Sequence, residues 1–178
     1  RYEEDTEYSE PMANWIELEV KMNLPYKEAQ PSDQITVPEL QVNAMSGSMG
    51  ETDEITASPC AFYWQAPEPN EDGTMSSIIG CGPEIGEETS LPEITAASAS
   101  LASHRRSNEA RLFFKVQPDT VRIQCVPQNG GEVETITEIL PYDGGYAFDL
   151  KSGSFVYRVI AEWDDGNRVE YGFIGKWL

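Results

Sequence analysis

The sequence predicts an all-β sandwich of about seven to nine strands with an acidic N-terminal extension. Three observations carry this. The last stretch, "GSFVYRVIAEWDDGNRVEYGFIGKW" (153–177), is two runs of alternating side chains around a turn. Strand-like runs recur about every ten residues with turn chemistry between them. No stretch holds a helical period of 3.6 over any length.

In the closing stretch, Phe155, Tyr157, Val159, Ala161 and Trp163 share one face, and Ser154, Val156, Arg158, Ile160 and Glu162 share the other. After the turn, Val169, Tyr171, Phe173, Gly175 and Trp177 again fall together, opposed by Arg168, Glu170 and Lys176. Both runs therefore read as strands with one dominant apolar side. Asp164-Asp165-Gly166-Asn167 supplies residue types that tolerate positive φ, as a tight hairpin needs.

Earlier strand-like runs are "WIELEVK" (15–21), "ITVPELQVNA" (35–44), "CAFYWQA" (60–66), "ARLFFKV" (110–116), "TVRIQCV" (120–126), "VETITEIL" (133–140) and "YAFDL" (146–150). "QPDT", "PQNGGE" and "PYDGG" separate several of them as turns. Pro38 removes a ladder donor inside the second run, which marks an edge strand or a break, the edge being easier to reconcile. "TAASASLASHRRSNEA" (95–110) is the one helical candidate, but it lacks an apolar stripe and fits a loop equally well.

A chain of 178 residues can bury one core with an extension. Residues 1–12 read as a flexible acidic lead-in or linker, and 13–178 as a single sandwich domain with long loops at 45–58 and 67–92. Loops of that length are where a binding site is expected.

There are 31 acidic and 12 basic residues, for a net charge of −19. The first hundred residues hold 20 acids and 3 bases. Such a charge argues against nucleic acid and anionic membrane surfaces as partners and favours neutral or cationic ones. No apolar run approaches the ~18 residues of a membrane span. The start at Arg1, without an initiator Met, suggests a signal peptide, lipid anchor or membrane helix removed upstream.

Enzymatic candidates fail on inventory. His104 is the only histidine, so one chain cannot build a two-His zinc site, and a nucleophilic triad would depend on "SHRRSN". There is no Gly-x-Ser-x-Gly elbow or phosphate-cradling glycine loop, and nothing singles out a catalytic carboxylate pair. No cofactor is expected. Calcium is the better metal candidate, through Asn70, Glu71 and Asp72 before Gly73 or through Asp164 and Asp165, although ordinary charged turns explain both sets. Cys125 is expected as a buried thiol beside Val121 and Ile123, while Cys60 and Cys81 either bridge in an oxidising compartment or stay free.

Among the aromatics, Trp163 and Trp177 belong to the apolar face of the closing hairpin. Tyr63 and Trp64 point to opposite faces of one strand, so one of them is expected beside the 67–92 loop. With Glu71 and Asp72 they form the candidate binding patch.

The ordered set "PELQVNAMSG", "AFYWQAPEPNEDGTMSSIIGCGPE", "PDTVRIQCV", "GSFVYRVIAEW" and "EYGFIGKW" resembles an immunoglobulin-like extracellular domain of Firmicutes surface proteins. Such domains occur in small lipoproteins and in the outer C-terminal region of membrane metallopeptidases of the beta-lactam-sensor (BlaR) type. The resemblance covers roughly residues 37–177. It implies a non-catalytic recognition or sensor domain at the surface of a Gram-positive cell, tethered to the membrane and facing a cell-wall or protein partner. A structural spacer and a carbohydrate-binding module are the alternatives. The chain departs from the pattern at Ile85-Gly86-Glu87 and in the shorter region around "PQNGGE", and it has no His-Glu-x-x-His, so no site residues carry over.

Overall fold

A computed structural model describes residues 35–46, 51–66, 68–97 and 108–177, all within one compact unit, Asp33–Leu178. The lead-in 1–12, the run 15–21 and His104 lie outside the described residues. The described residues form twelve strands and no helix.

The strands are β1 (Leu40–Met45), β2 (Thr52–Thr56), β3 (Ser58–Gln65), β4 (Ser77–Gly80), β5 (Glu93–Ala96) and β6 (Glu109–Phe114). They continue with β7 (Thr120–Pro127), β8 (Glu134–Ile136), β9 (Leu140–Tyr142), β10 (Gly145–Asp149), β11 (Gly153–Glu162) and β12 (Arg168–Trp177). A five-stranded sheet runs β2-β1-β6-β10-β9. A seven-stranded sheet runs β4-β3-β12-β11-β7-β8, with β5 added in parallel beside the second half of β12. The fold is an all-β sandwich with more and shorter strands than the sequence suggests.

Alternation places the core between the sheets. From the smaller sheet come Leu40, Val42, Leu112 and Phe148; from the larger come Ile123, Cys125, Tyr157, Val159, Tyr171 and Phe173, all at most 1% exposed. The closing hairpin keeps the register read from its sequence: Tyr157 lies opposite Phe173, Val159 opposite Tyr171 and Ala161 opposite Val169. In its turn only Gly166 takes a positive φ, 88°. Its N–H donates to Trp163 O at 3.0 Å, giving a three-residue loop that ends on a left-handed glycine.

Four expectations change. Pro38 does not mark an edge: β1 starts two residues later, at Leu40, and lies between β2 and β6, while the Pro38 carbonyl accepts the Tyr171 hydroxyl at 2.8 Å. A proline just outside a central strand costs the ladder nothing. The run 133–140 is not one strand, because the chain leaves β8 in the larger sheet and enters β9 in the smaller. Residues 45–58 and 67–92 are not wholly loop, since they contain β2 and β4. Of the helical candidate, Thr95 and Ala96 belong to β5, Glu109 and Ala110 to β6, and 98–107 lie outside the described residues.

Candidate functional site

The patch proposed from sequence sits on the β3–β4 hairpin, at one margin of the larger sheet. Phe62 pairs with core residue Val169, so Phe62 and Trp64 face inward and Tyr63 faces out. Trp64 meets Trp163 edge-on at 4.9 Å and 84°, and both pack against the core. The indole plane of Trp64 is thereby committed to internal packing. Tyr63, 36% exposed, faces solvent opposite Ile79 of β4, which is 69% exposed. Met75, just before β4, is exposed as well.

The acids in the connecting turn shape its backbone. Asp72 Oδ1 accepts the Thr74 N–H at 3.0 Å and its hydroxyl at 2.6 Å, while Asn70 Nδ2 donates to Thr74 Oγ1 and Ser76 Oγ. The Asp72 bond to the Thr74 N–H supplies a backbone partner that the turn lacks, and the others lock the side chains around it. Glu71 is exposed at the tip. In the closing hairpin, Asp165 accepts both the N–H and Nδ2 of Asn167, and the Asp164 N–H donates to Asp119. Asn167, only 4% exposed, accepts the Gln65 N–H at 2.7 Å and so ties the end of β3 to this turn. Among the described residues, no three His, Cys, Asp or Glu side chains are grouped to hold a metal ion.

The second half of the 67–92 segment forms a strap across the outer face of the larger sheet. Arg158, mid-strand in β11, points away from the core yet is only 4% exposed. Its guanidinium pairs with Glu88 of the strap, donates to the Pro83 carbonyl at 3.1 Å and reaches Glu170 of β12 at 2.8 Å. Gly86 lies over Val126, and the Pro92 carbonyl accepts the Ile174 N–H. Leu91 and Cys60 close over Gly172, where a built Cβ would stand 2.6 Å from Cys60 Sγ and 2.9 Å from Leu91 Cδ2. Only glycine admits the strap at that point.

Electrostatics follow from this cover. Burial alone would lower the Arg158 pKa, but hydrogen bonds to Glu88 and Glu170 outweigh it and hold it above its ordinary value. For Glu170, burial pushes the carboxyl up, and the bonds from Arg168 and Arg158 outweigh it and hold the group below the usual range. A depressed folded pKa adds stability fully present above the unfolded value of about 4.3, and lost as pH falls through the lower folded one. We expect the urea midpoint to drop between pH 7 and pH 3, and Glu170→Gln to make that drop shallower; equal drops would show that the pair carries no linkage.

All three cysteines are free thiols: Cys60 half-buried, Cys81 exposed and Cys125 fully buried. Burial raises the pKa of Cys60 and of Cys125, so neither is an activated thiolate.

Sequence reasoning missed the Arg158–Glu88–Glu170 cluster, whose members lie 70 and 12 residues apart in the chain. Its one local sign was Arg158 between Val156 and Ile160 on the outward face, because two aliphatics there imply a cover. No family model, curated protein or solved structure matches this chain. Fold and site define a β-sandwich with a strapped outer face and an exposed hairpin margin.

Proposed function

We propose that the chain is a non-catalytic recognition or sensor domain, tethered at a bacterial cell surface, that meets its partner through the β3–β4 hairpin. The observation that supports it is the display of Ile79, Tyr63 and Met75 on a hairpin fixed at three points. These are the Asn167–Gln65 bond at its end, the Trp64–Trp163 contact beneath it and the strap that follows it. Burying apolar side chains is the usual way to gain stability, so a rigid element that holds them outward is suited to a partner. The surface location rests on the ordered motifs described above and on the acidic first half of the chain.

A panel of wall glycan fragments and extended peptides, screened by thermal unfolding, tests this. A ligand at a hundred times its Kd adds about 2.7 kcal/mol, or a rise of roughly 5–10 °C for a chain of this size. Ile79→Asp is expected to remove the rise. Indifference to the whole panel would replace recognition with a spacer role.

A second reading has its own observation. On the outer face of the smaller sheet, Leu140 and Tyr142 are exposed, Phe113 meets Tyr142 edge-on, and the Arg111 guanidinium lies 3.8 Å from the centre of the Tyr142 ring. An exposed tyrosine ring held beside a guanidinium offers a stacking face and hydrogen-bond donors to a sugar ring. Oligosaccharide binding abolished by Tyr142→Ala, and untouched by Ile79→Asp, would favour it.

A further inference from the structure

Five strands are paired on one side only, and four of them carry a device against added strands; β5 bears Glu93, paired to Lys176. β2 bears Asp53 and Glu54, β9 contains Pro141, and β8 is three residues long with Glu134 paired to Lys151. β4, Ser-Ile-Ile-Gly, has neither charge nor proline, and carries the most exposed large apolar side chain among the described residues.

Among the described residues, nothing pairs with its outer backbone either. The Ala66 N–H donates to the Ser76 carbonyl at 2.8 Å, so ladder alternation puts Ile78 and Gly80 in the hydrogen-bonded pairs with Trp64 and Phe62. The N–H and C=O of Ser77 and Ile79 then point away from β3, where no further strand follows among the described residues. An antiparallel segment would gain four backbone hydrogen bonds there, and one of its side chains would fall beside Ile79 and Tyr63 on the outer face.

Charge selects the occupant. Glu68 and Glu71 stand exposed in the turn that leads into β4, and no Lys or Arg occurs between Lys27 and Arg105. A second copy would bring the same net −19 to the contact, whereas cations at one end of an extended segment would meet the acids of the β3–β4 turn.

We propose that the β4 edge binds an extended protein segment by strand addition, with a short alternating apolar core and Lys or Arg at the end that meets the β3–β4 turn. This deepens the recognition reading and rests on it.

The probe is a synthetic Lys-Lys-Val-Thr-Val-Thr-Lys-Lys peptide, titrated against the full chain by calorimetry and followed by amide hydrogen exchange. Binding is expected to slow exchange at Ser77 and Ile79. N-methylation of alternate peptide amides should weaken it at least about tenfold by removing ladder donors. Glutamates in place of the lysines should abolish it, and Ile79→Thr, a strand-compatible change, should weaken it severalfold. Equal affinity for the methylated peptide would mean charge adhesion alone and overturn the proposal, as would protection at β2 or β9. Protection of Ser77 and Ile79 that grows with protein concentration without peptide would assign the edge to a second copy and overturn it too. If the peptide fails while a glycan fragment still raises the melting temperature, this inference falls and recognition stands; if both fail, both fall.

Discussion

Arg158→Ala is expected to cost about 3–5 kcal/mol, the range for removing one partner of a buried ion pair. The Glu88 side chain is 4% exposed and Arg158 supplies its counter-charge, so alanine leaves a carboxylate under the strap with neither water nor a cation. Glu170 is less affected, because Arg168 still reaches it at 2.7 Å. The size of the loss reflects desolvation more than the worth of the pair. Arg158→Met together with Glu88→Leu should therefore recover most of it, since apolar side chains of similar volume suit a site floored by Val156 and Ile160. Urea unfolding at pH 7 checks both variants. A loss below about 1 kcal/mol for the single change, the scale of a solvated ion pair, would mean that the strap does not sit on the sheet. Limited proteolysis adds a local readout: in Arg158→Ala, cleavage should begin within 81–92 before the core opens.

What the sequence made legible follows from the reach of its signals. Period two is local, so it assigned most side chains of β11 and β12 to their faces and placed Tyr63 and Trp64 on opposite sides. It could not say which of that pair is wet, because that depends on Val169 of a strand over a hundred residues away. β2 and β4 escaped notice because "TDEIT" and "SIIG" are short, largely exposed and set among Gly, Pro and acids. Their strand character comes from β1 and β3, which offer ladders to pair with, more than from their own propensity. The strap is further still from local patterning, since it has no repeating period and is held by one arginine, one glutamate and a glycine that leaves room for it. Acid-rich turns were legible as turns, and Asp72 and Asp165 act there as backbone partners while Asn70 links the Thr74 and Ser76 side chains.

Phe173→Ala should rank with Arg158→Ala, at about 3–5 kcal/mol, through a different cause. Phe173 is fully buried and stacks on Tyr157 at 5.3 Å with 13° between the rings, and Tyr157 in turn meets Phe148 of the opposite sheet at 5.5 Å. The three rings thus join the two sheets through the middle of the sandwich. Alanine at 173 loses the transfer free energy of the ring and leaves a space that the facing sheets cannot close without breaking their registers. Phe173→Leu keeps most of the volume and should cost less than about 1.5 kcal/mol if the neighbours repack. Ile79→Ala, on the exposed margin, should stay within about 0.5 kcal/mol, since no packing is lost there. The order of the three, read from urea midpoints at constant m-value, tests the fold and the site together. A cost at Ile79 comparable to that at Phe173 would mean that β4 packs against the body of the protein, and the hairpin margin would then have no apolar surface to offer a partner.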